Sequence, residues 1–335
     1  MQGHEGDSGV RGALLVIAVA VAATLLAEPH RRCPYIGAVS ADASGRVLFS
    51  DGVDEPSYPA SVTKLMTALL VLEDVKAGKY ALSDEVEATT EIYRRCEPSW
   101  IGIKPGESMT VRDLLLALMV ESANDAAIVL AVRAAGSTDA FVERMNRRAS
   151  ELGMSRTKYF NPNGLPPNKT RRYPWKENNV STAADQLKLA VALLKHTEIL
   201  EFTRVKDCDL VKTERGYRIA VCRAVGRPRA ATVLAGGEKI VKHLVNHNNV
   251  MVQDRLKIFN PDGGEAVDGL KTGYIDAGGS SVVMTASRNG KRVIVVVLGS
   301  DRQLDKNGRQ IEKGARVRDE NAKRLVIDAL GAVDF

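Results

Sequence analysis

Aromatic residues and closely spaced cysteines are scarce in this sequence, and their scarcity excludes several kinds of site. Phenylalanine, tryptophan and tyrosine make up 5% of the 335 residues, so stacking platforms for nucleic-acid bases or sugars are not indicated. The four cysteines include no C-x-x-C pair, which argues against a zinc ribbon or a thioredoxin-type motif. H-E-x-x-H and a glycine-rich phosphate loop are also missing, and no third ligand is suggested near His243 and His247, which could share a helical face. The sequence therefore predicts no metal and no cofactor.

Basic residues outnumber acidic ones, and the formal net charge at pH 7 is +6. Nucleic acid, anionic lipid or a cell-wall polymer would suit such a charge, and so would a solvated surface without a partner. The pair Arg171-Arg172 and residues 223–229 are basic but lack interleaved aromatic residues. We interpret them as solvated loops and expect no nucleic-acid partner.

An apolar run spans residues 12–27 near the N-terminus. Its length is short for a bilayer span, which needs roughly 20 residues, but suits the apolar region of a secretory leader. Arg11 precedes the run and Arg31 follows it, which favours the wrong orientation for export. We nevertheless interpret residues 1–34 as a leader or short membrane anchor. An exported protein on the periplasmic or extracytoplasmic side is expected, with leader cleavage left open.

Export would allow disulfide bonds between cysteines. Cys208 and Cys222 are the better candidates because they flank a segment that reads as two short strands around residues 214–216. Four cysteines allow three connectivities. The sequence alone does not choose among the pairings of Cys33, Cys96, Cys208 and Cys222.

Strand patterns lie at both ends of the chain, and helical patterns lie between them. Residues 35–50 predict one hairpin and residues 280–300 another, which turns at Asn289-Gly290. Helical spacing recurs in five segments, 61–78, 110–135 (interrupted at 121–124), 141–152, 182–197 and 316–330. We therefore predict an α/β (α+β) fold in which an antiparallel sheet, formed by both chain ends and flanked by helices, carries an inserted, mostly helical lobe.

The predicted organisation after the leader is one domain, residues 35–335. Its α/β lobe takes approximately residues 35–60 and 255–335, and its helical lobe approximately residues 61–254. Because ligand sites favour the seams between such units, we expect a cleft between the two lobes.

The first chemical motif is Ser61-Val62-Thr63-Lys64, at the start of a predicted helix. Residues three apart share a helical face, so the Ser61 hydroxyl and the Lys64 amine can meet. A serine becomes a nucleophile when a neighbouring base removes its proton, and the N–H groups of a helix N-terminus suit a developing oxyanion. The S-x-x-K pattern alone also arises by chance, as a helix cap followed by a solvated lysine.

The second motif, Ser122-Ala123-Asn124, lies at the break between two predicted helices. A hydroxyl and an amide two residues apart in a turn can both face a cleft, where one relays protons and the other holds a substrate amide. Serine and asparagine are also common helix caps, so this motif is weak on its own.

The third motif is Lys271-Thr272-Gly273, followed by Tyr274 on a predicted strand. An edge strand beside a cleft can pair with an extended peptide. Lys271 would supply positive charge, Thr272 a hydroxyl for a carboxylate, and Gly273 room for the substrate backbone. An ordinary edge strand with an exposed lysine is the alternative.

The three motifs occur in the order S-x-x-K, S-x-N, K-T-G, on a helix start, an inter-helix turn and a strand. In this arrangement the sequence resembles the penicillin-recognising serine enzymes, and more narrowly the low-molecular-mass D-alanyl-D-alanine carboxypeptidase family of penicillin-binding proteins. The resemblance covers roughly residues 35–330 and includes Asn163-Gly164-Leu165 and Asn246-x-Asn248. It implies the penicillin-binding or β-lactamase-like fold.

The resemblance also implies the chemistry. Peptidoglycan peptides that end in D-Ala-D-Ala would be the substrates, and β-lactam antibiotics would be covalent inhibitors. Ser61 would form the acyl-enzyme with Lys64 as its base, and Ser122 with Lys271 would pass the proton to the leaving D-alanine. The implied substrate-binding residues are Asn124, Lys271, Thr272, Gly273, Tyr274 and Arg318.

Two further implications of the resemblance concern the oxyanion hole and the residue that binds the substrate carboxylate. The backbone N–H groups of Ser61 and Tyr274 would form the oxyanion hole. Residues 301–314 separate the last strand from the arginines, so Arg316 is an alternative to Arg318 as the carboxylate-binding residue. Ile275 stands where the family usually has threonine, which removes a substrate hydroxyl contact.

Three alternatives to a carboxypeptidase follow from the same pattern. The chain ends soon after its last helix, with no C-terminal β domain expected, and this short form resembles the D,D-endopeptidases that cut cross-links. A class A-like β-lactamase would need an E-x-x-x-N arrangement, whereas residues 161–180 offer only Glu177-Asn178-Asn179. A non-catalytic wall-binding protein is disfavoured because the side chains of four motif residues are intact, namely Ser61, Lys64, Ser122 and Lys271. Membrane association would come through residues 1–34.

Overall fold

Strands lie at both ends of the described chain, with most helices between them. The computed structural model describes residues 35–93, 98–167, 177–224, 230–253, 266–301, 303–304, 310–312 and 314–334, all within one unit that begins at Cys33. The strands are β1 (Gly37–Asp42), β2 (Val47–Asp51), β3 (Glu85–Glu87), β4 (Ser108–Thr110), β5 (Val205–Lys212), β6 (Tyr217–Ala224), β7 (Lys239–Val245), β8 (Val267–Ile275), β9 (Gly279–Arg288), β10 (Lys291–Ser300), β11 (Gln303–Leu304) and β12 (Gln310–Glu312). The α-helices are α1 (Lys64–Lys76), α2 (Val111–Val120), α3 (Asn124–Ala135), α4 (Thr138–Glu151), α5 (Ala183–Leu193), α6 (Ile199–Thr203), α7 (Asn249–Val252) and α8 (Gly314–Asp334). Two short 3-10 helices cover Ala60–Thr63 and Thr90–Tyr93.

Five strands form an antiparallel sheet in the order β2-β1-β10-β9-β8. β9 and β10 form the hairpin predicted at Asn289-Gly290, where both residues have positive φ angles, 52° and 74°, as a tight hairpin turn requires. β1 pairs with β10, with Gly37 opposite Leu298, and thereby joins the two ends of the chain. The predicted α/β fold with a sheet formed by both chain ends is confirmed. β8, which carries the third motif, is an edge strand.

Helices cover both faces of this sheet, because its central strands are apolar on both sides. In β10, every residue from Val293 to Ser300 is buried. α8 packs against β9 and β10, whereas α1 and α5 belong to a second apolar core. The 3-10 helix Ala60–Thr63, which leads into α1, contacts β8. This packing places the first motif beside the third.

The helices of the inserted region agree with the predicted pattern and differ from it at their ends. α2 and α3 are separated at Ser122, where the break was predicted. α4 begins three residues before the predicted start, because Ser137 Oγ caps it by accepting a hydrogen bond from Ala140 N at 3.1 Å. α8 is longer than the predicted 316–330. The boundaries of the two lobes stay a prediction, and the leader predicted for residues 1–34 lies outside the described residues.

The inserted region also contains strands. The pattern predicted two of them, β5 and β6, around residues 214–216, and did not predict β3, β4 or β7. β3 pairs with β4, and a second sheet has the order β6-β5-β7. Cys208 and Cys222 face each other in β5 and β6 and form a disulfide, as the favoured pairing suggested. Cys33 and Cys96 lie outside the described residues.

β7 contains His243, so the helical face suggested for His243 and His247 is wrong. On this strand, His243 Nδ1 lies 3.0 Å from Asp209 Oδ1 of the neighbouring β5. Within the ranges described above, no helix has the length and apolar character needed to cross a membrane.

Candidate active site

Ser61 and Lys64 meet at the junction of the 3-10 helix and α1. Lys64 Nζ donates a hydrogen bond to Ser61 Oγ at 2.9 Å. The lysine is 0% exposed, whereas the serine is half-buried. Burial of an amine disfavours its charged form, and only the neutral form can take the proton of a serine hydroxyl.

Two further oxygen atoms fix the position of the Lys64 amine. Nζ donates to Asn124 Oδ1 at 2.7 Å and to the backbone carbonyl of Asn163 at 2.7 Å. The contact with Asn124 connects the first motif directly to the second. The Asn163 carbonyl was missed by the sequence reasoning, although Asn163-Gly164-Leu165 was one of the segments that carried the resemblance.

Gly164 explains why that segment can approach Ser61. Its φ angle is +83°, and a Cβ atom at this position would lie 1.9 Å from the Ala60 carbonyl oxygen and 3.0 Å from Ser61 N. No side chain fits in that space, and the left-handed backbone also favours glycine. Gly164 thus lets the loop pack directly on the residue that precedes the serine.

Ser122 is held in a conformation that is rare for a residue with a side chain. Its φ angle is 61°, and the other non-glycine residues with positive φ in the described ranges are Ala60 and Asn289. Ser122 belongs to the second motif and Ala60 directly precedes the first. Backbone strain of this kind tends to occur at functional sites. Ser122 is 2% exposed, and its Oγ has no hydrogen-bond partner among the described residues. A buried hydroxyl of this kind is suited to proton relay.

Asp125 follows the Ser122 turn and holds the backbone of residues 101–103. Its carboxylate accepts hydrogen bonds from the N–H groups of Ile101, Gly102 and Ile103 at 2.9 to 3.2 Å. Asn124 N in turn donates to the Ser99 carbonyl at 2.8 Å. Burial raises the pKa of Asp125, while the N–H donors act in the opposite direction. Asp125 was assigned no role from the sequence, because a carboxylate that binds backbone groups leaves no spacing signal.

The third motif lies on edge strand β8, against the start of α1. A Cβ atom at Gly273 would lie 2.5 Å from the Pro59 carbonyl and 3.1 Å from Ser61 N. The absence of a side chain at Gly273 therefore lets β8 approach the protein's own backbone before Ser61, and its expected role in leaving room for the substrate backbone stays a prediction. The close approach places β8 beside the N–H group of Ser61.

Two neighbouring cations are buried, Lys271 in the third motif and Arg318 on α8. Lys271 is 2% exposed and donates to the Thr272 carbonyl at 3.1 Å. Arg318 on α8 is 4% exposed and donates to Asp319 Oδ1 at 2.6 and 2.8 Å. Burial and the neighbouring Arg318 guanidinium lower the pKa of Lys271 to about 7, whereas the Glu121 carboxylate acts in the opposite direction.

Arg316 and Tyr274 are exposed, in contrast to these cations. Arg316 lies on the outer side of α8, so Arg318 is the arginine that neighbours Lys271. Tyr274 follows Gly273 on β8, and its side chain is 62% exposed, with its hydroxyl donating to Asp276 Oδ1 at 2.8 Å. Thr272 is 6% exposed.

The fold and the contacts that join the first motif to the second and the third define the penicillin-binding class of proteins. The comparison with known families agrees. The chain belongs to the D-alanyl-D-alanine carboxypeptidase family, whose model matches residues 37–220 and 237–302.

Individual relatives and a solved structure are similar to this chain over most of its length. The D-alanyl-D-alanine carboxypeptidase DacF of Bacillus subtilis is 32% identical over 264 residues, 79% of this chain and 57% of the relative. The D-alanyl-D-alanine endopeptidase of Pseudomonas aeruginosa is 28% identical over 255 residues, 76% of this chain and 67% of the relative. Penicillin-binding protein D2 from Listeria monocytogenes, solved in its ampicillin-bound form, is 27% identical with a TM-score of 0.62 and coverage of 88% and 96%. The chain spans little more than half the length of the first carboxypeptidase relatives it matches.

Proposed function

We propose that this protein is a serine-type D-alanyl-D-alanine carboxypeptidase that acts on peptidoglycan stem peptides through an acyl-enzyme on Ser61. The observation that carries the proposal is the 2.9 Å contact between Lys64 Nζ and Ser61 Oγ, made by an amine that also contacts Asn124 of the second motif. Membership of the carboxypeptidase family supports the choice of substrate.

Lys64 acts as the general base for acylation. The Asn163 carbonyl and Asn124 Oδ1 can only accept hydrogen bonds, so they take two N–H groups of the lysine. In a neutral amine the remaining lone pair then points towards Ser61 Oγ. The amine takes the hydroxyl proton as Oγ attacks the carbonyl carbon between the two D-alanines.

The remaining residues serve the tetrahedral intermediate and the leaving group. The N–H groups of Ser61 and Tyr274 stabilise the oxyanion, and Asn124 holds the substrate amide. Ser122, with Lys271, passes a proton to the nitrogen of the departing D-alanine as the carbon–nitrogen bond breaks. Water then hydrolyses the ester and releases the shortened peptide.

The terminal carboxylate of the substrate binds at the cationic end of the cleft. Lys271, Thr272 and Arg318 would contact it. Lys271 and Arg318 are neighbouring buried cations, and a carboxylate between them would offset their mutual repulsion, which the Asp319 carboxylate beside Arg318 offsets only in part. This arrangement would select peptides whose scissile bond lies next to a free carboxylate, which is the requirement of a carboxypeptidase.

Digestion of purified muropeptides tests the proposal. Monomeric pentapeptides and cross-linked dimers are supplied separately, and products are resolved by mass. Loss of one alanine from the monomers is the expected result. Cleavage of dimers alone would replace the proposal with a D,D-endopeptidase, the activity named for the Pseudomonas aeruginosa relative.

β-Lactam antibiotics are proposed as covalent inhibitors of the same serine. Fluorescent penicillin should label the protein, and a chromogenic cephalosporin should be hydrolysed only slowly. Fast turnover of the cephalosporin would indicate a β-lactamase, and failure of labelling would indicate a non-catalytic wall-binding protein. Export to the wall, with residues 1–34 as leader or anchor, is part of the proposal.

We expect kcat/KM to fall as the pH rises through about 7, because Lys271 then loses the charge that binds the carboxylate and the proton it passes on. A single ionisation gives a decline of about tenfold per pH unit. Lys271→Arg keeps its charge, so the alkaline decline should disappear, although the rate at pH 6 would be lower. Initial rates with a D-Ala-D-Ala peptide between pH 5 and 10 check this. A wild-type profile that stays level above pH 7 would contradict it.

A further inference from the structure

Trp100 is an exposed aromatic residue beside the second motif. It is 43% exposed, and among the aromatic side chains whose burial is described, only Trp100 and Tyr274 are largely exposed. Tyr274 directly follows the third motif. Exposed single apolar residues are common on protein surfaces, but both of these lie next to residues of the proposed site.

The backbone around Trp100 is fixed firmly to the Ser122 turn. The carbonyl of the preceding residue, Ser99, accepts the hydrogen bond from Asn124 N at 2.8 Å. The Trp100 carbonyl accepts a hydrogen bond from Lys242 Nζ at 2.8 Å, and the same amine contacts Glu121 Oε1 at 2.6 Å. The exposed indole is therefore carried by a backbone that is held in place beside the Ser122 turn.

A pre-positioned aromatic surface binds apolar groups with little further loss of conformational entropy. A tryptophan side chain offers a large flat area with two rotatable bonds, and CH groups of an aliphatic chain pack well on it. The solvent exposure of this indole thus suits a contact that forms only when a ligand is present.

The position of Trp100 determines which part of a substrate it would meet. In the proposed function, Lys271 and Arg318 hold the carboxylate of the leaving D-alanine, and Asn124 holds the amide on the acyl side. Trp100 is connected to Asn124 through the adjacent Ser99 carbonyl. A substrate bound in this direction brings the residue before D-Ala-D-Ala towards the indole.

We propose that Trp100 forms a binding subsite for the aliphatic side chain of the residue that precedes D-Ala-D-Ala in the acyl donor. The proposal rests on the proposed function and deepens it, since it names a specificity determinant of the same site. Trp100 takes no part in the proton transfers and acts by binding the non-reacting part of the substrate.

Two peptides with the same reacting end test the subsite. One is acetyl-D-Ala-D-Ala, and the other inserts an L-lysine, acetylated at both nitrogens, before the two alanines. Trp100→Ala should lower the ratio of kcat/KM for the longer peptide to that for the shorter one by about tenfold, the size of one apolar contact. Trp100→Phe should retain most of the ratio, because it keeps an aromatic face.

Val47→Ala serves as the matched control, since Val47 is 52% exposed on β2, at the far edge of the sheet from β8. Its ratio should equal that of the wild type. An unchanged ratio in Trp100→Ala, with both peptides still cleaved, would overturn the subsite alone. Wild-type protein that cleaves neither peptide and resists penicillin labelling would overturn the proposed function and the subsite with it.

Discussion

Ser61→Ala should lose carboxypeptidase activity and penicillin labelling by at least about 10³-fold, the usual scale for removing an activated nucleophile. The hydroxyl is the group that would form the covalent bond, and no neighbouring oxygen of the motifs can replace it, because Ser122 Oγ is buried in a separate turn. The fold should survive, since Lys64 keeps its contacts with Asn124 and Asn163. Mass spectrometry of the protein after incubation with penicillin measures the adduct directly.

Ser150→Ala is a suitable control, because Ser150 is exposed on α4 and alanine is a good helix former. This variant should retain wild-type labelling, and both variants should melt near the wild-type temperature. A Ser61→Ala protein that still acquires the penicillin adduct would assign the nucleophile to another residue and overturn the mechanism.

The fold could be predicted because its signals are local. Asn289-Gly290 between two apolar runs specifies a hairpin within a few residues, and the long helices show regular apolar spacing. β7 was missed because Lys239, Lys242 and His243 interrupt its apolar residues, as is common at a sheet edge. β3 and β4 are three residues each, too short for a pattern to emerge.

The site was predictable where side chains carry the chemistry and not where the backbone does. The motif order led to Ser61 and Lys64, and the structure places them in contact. Their catalytic roles stay predictions. The carbonyl of Asn163, which accepts a hydrogen bond from Lys64, has no side-chain signal. The close approach of Gly273 to the Pro59 carbonyl was also not predicted, because it depends on the tertiary packing of β8.

The choice between Arg316 and Arg318 shows the same limit. Residues two apart on an α-helix point about 200° apart, so one of the two must face away from the cleft. Which one does depends on where the helix begins and how it packs. α8 begins at Gly314 and buries Val317 and Arg318, which leaves Arg316 on the solvent side. Residues 301–314 contain no pattern that indicates where α8 begins, so the sequence alone did not show which of the two arginines faces inward.

Gly164→Ala should be among the most damaging substitutions in the molecule. The new Cβ would meet the Ala60 carbonyl oxygen at 1.9 Å, which is far inside van der Waals contact, and neither backbone can yield without moving Ser61. Together with the cost of the left-handed backbone, the loss of unfolding free energy should reach at least about 3 kcal/mol. Because Asn163 O would move away from Lys64 Nζ, penicillin labelling of the folded fraction should also fall by roughly 100-fold.

Gly106→Ala is the control variant, which separates the effect of the steric clash from the cost of the left-handed backbone conformation. Gly106 has nearly the same φ angle, +85°, but a Cβ there has no heavy atom within 4 Å. It should cost only about 1 kcal/mol for the left-handed conformation and leave penicillin labelling intact. Urea denaturation, combined with labelling of the folded protein, measures both quantities for each variant. Equal losses of stability in the two variants would show that the loop at Gly164 can move away from Ala60, and that its close packing does not hold Ser61 and Lys64 in place.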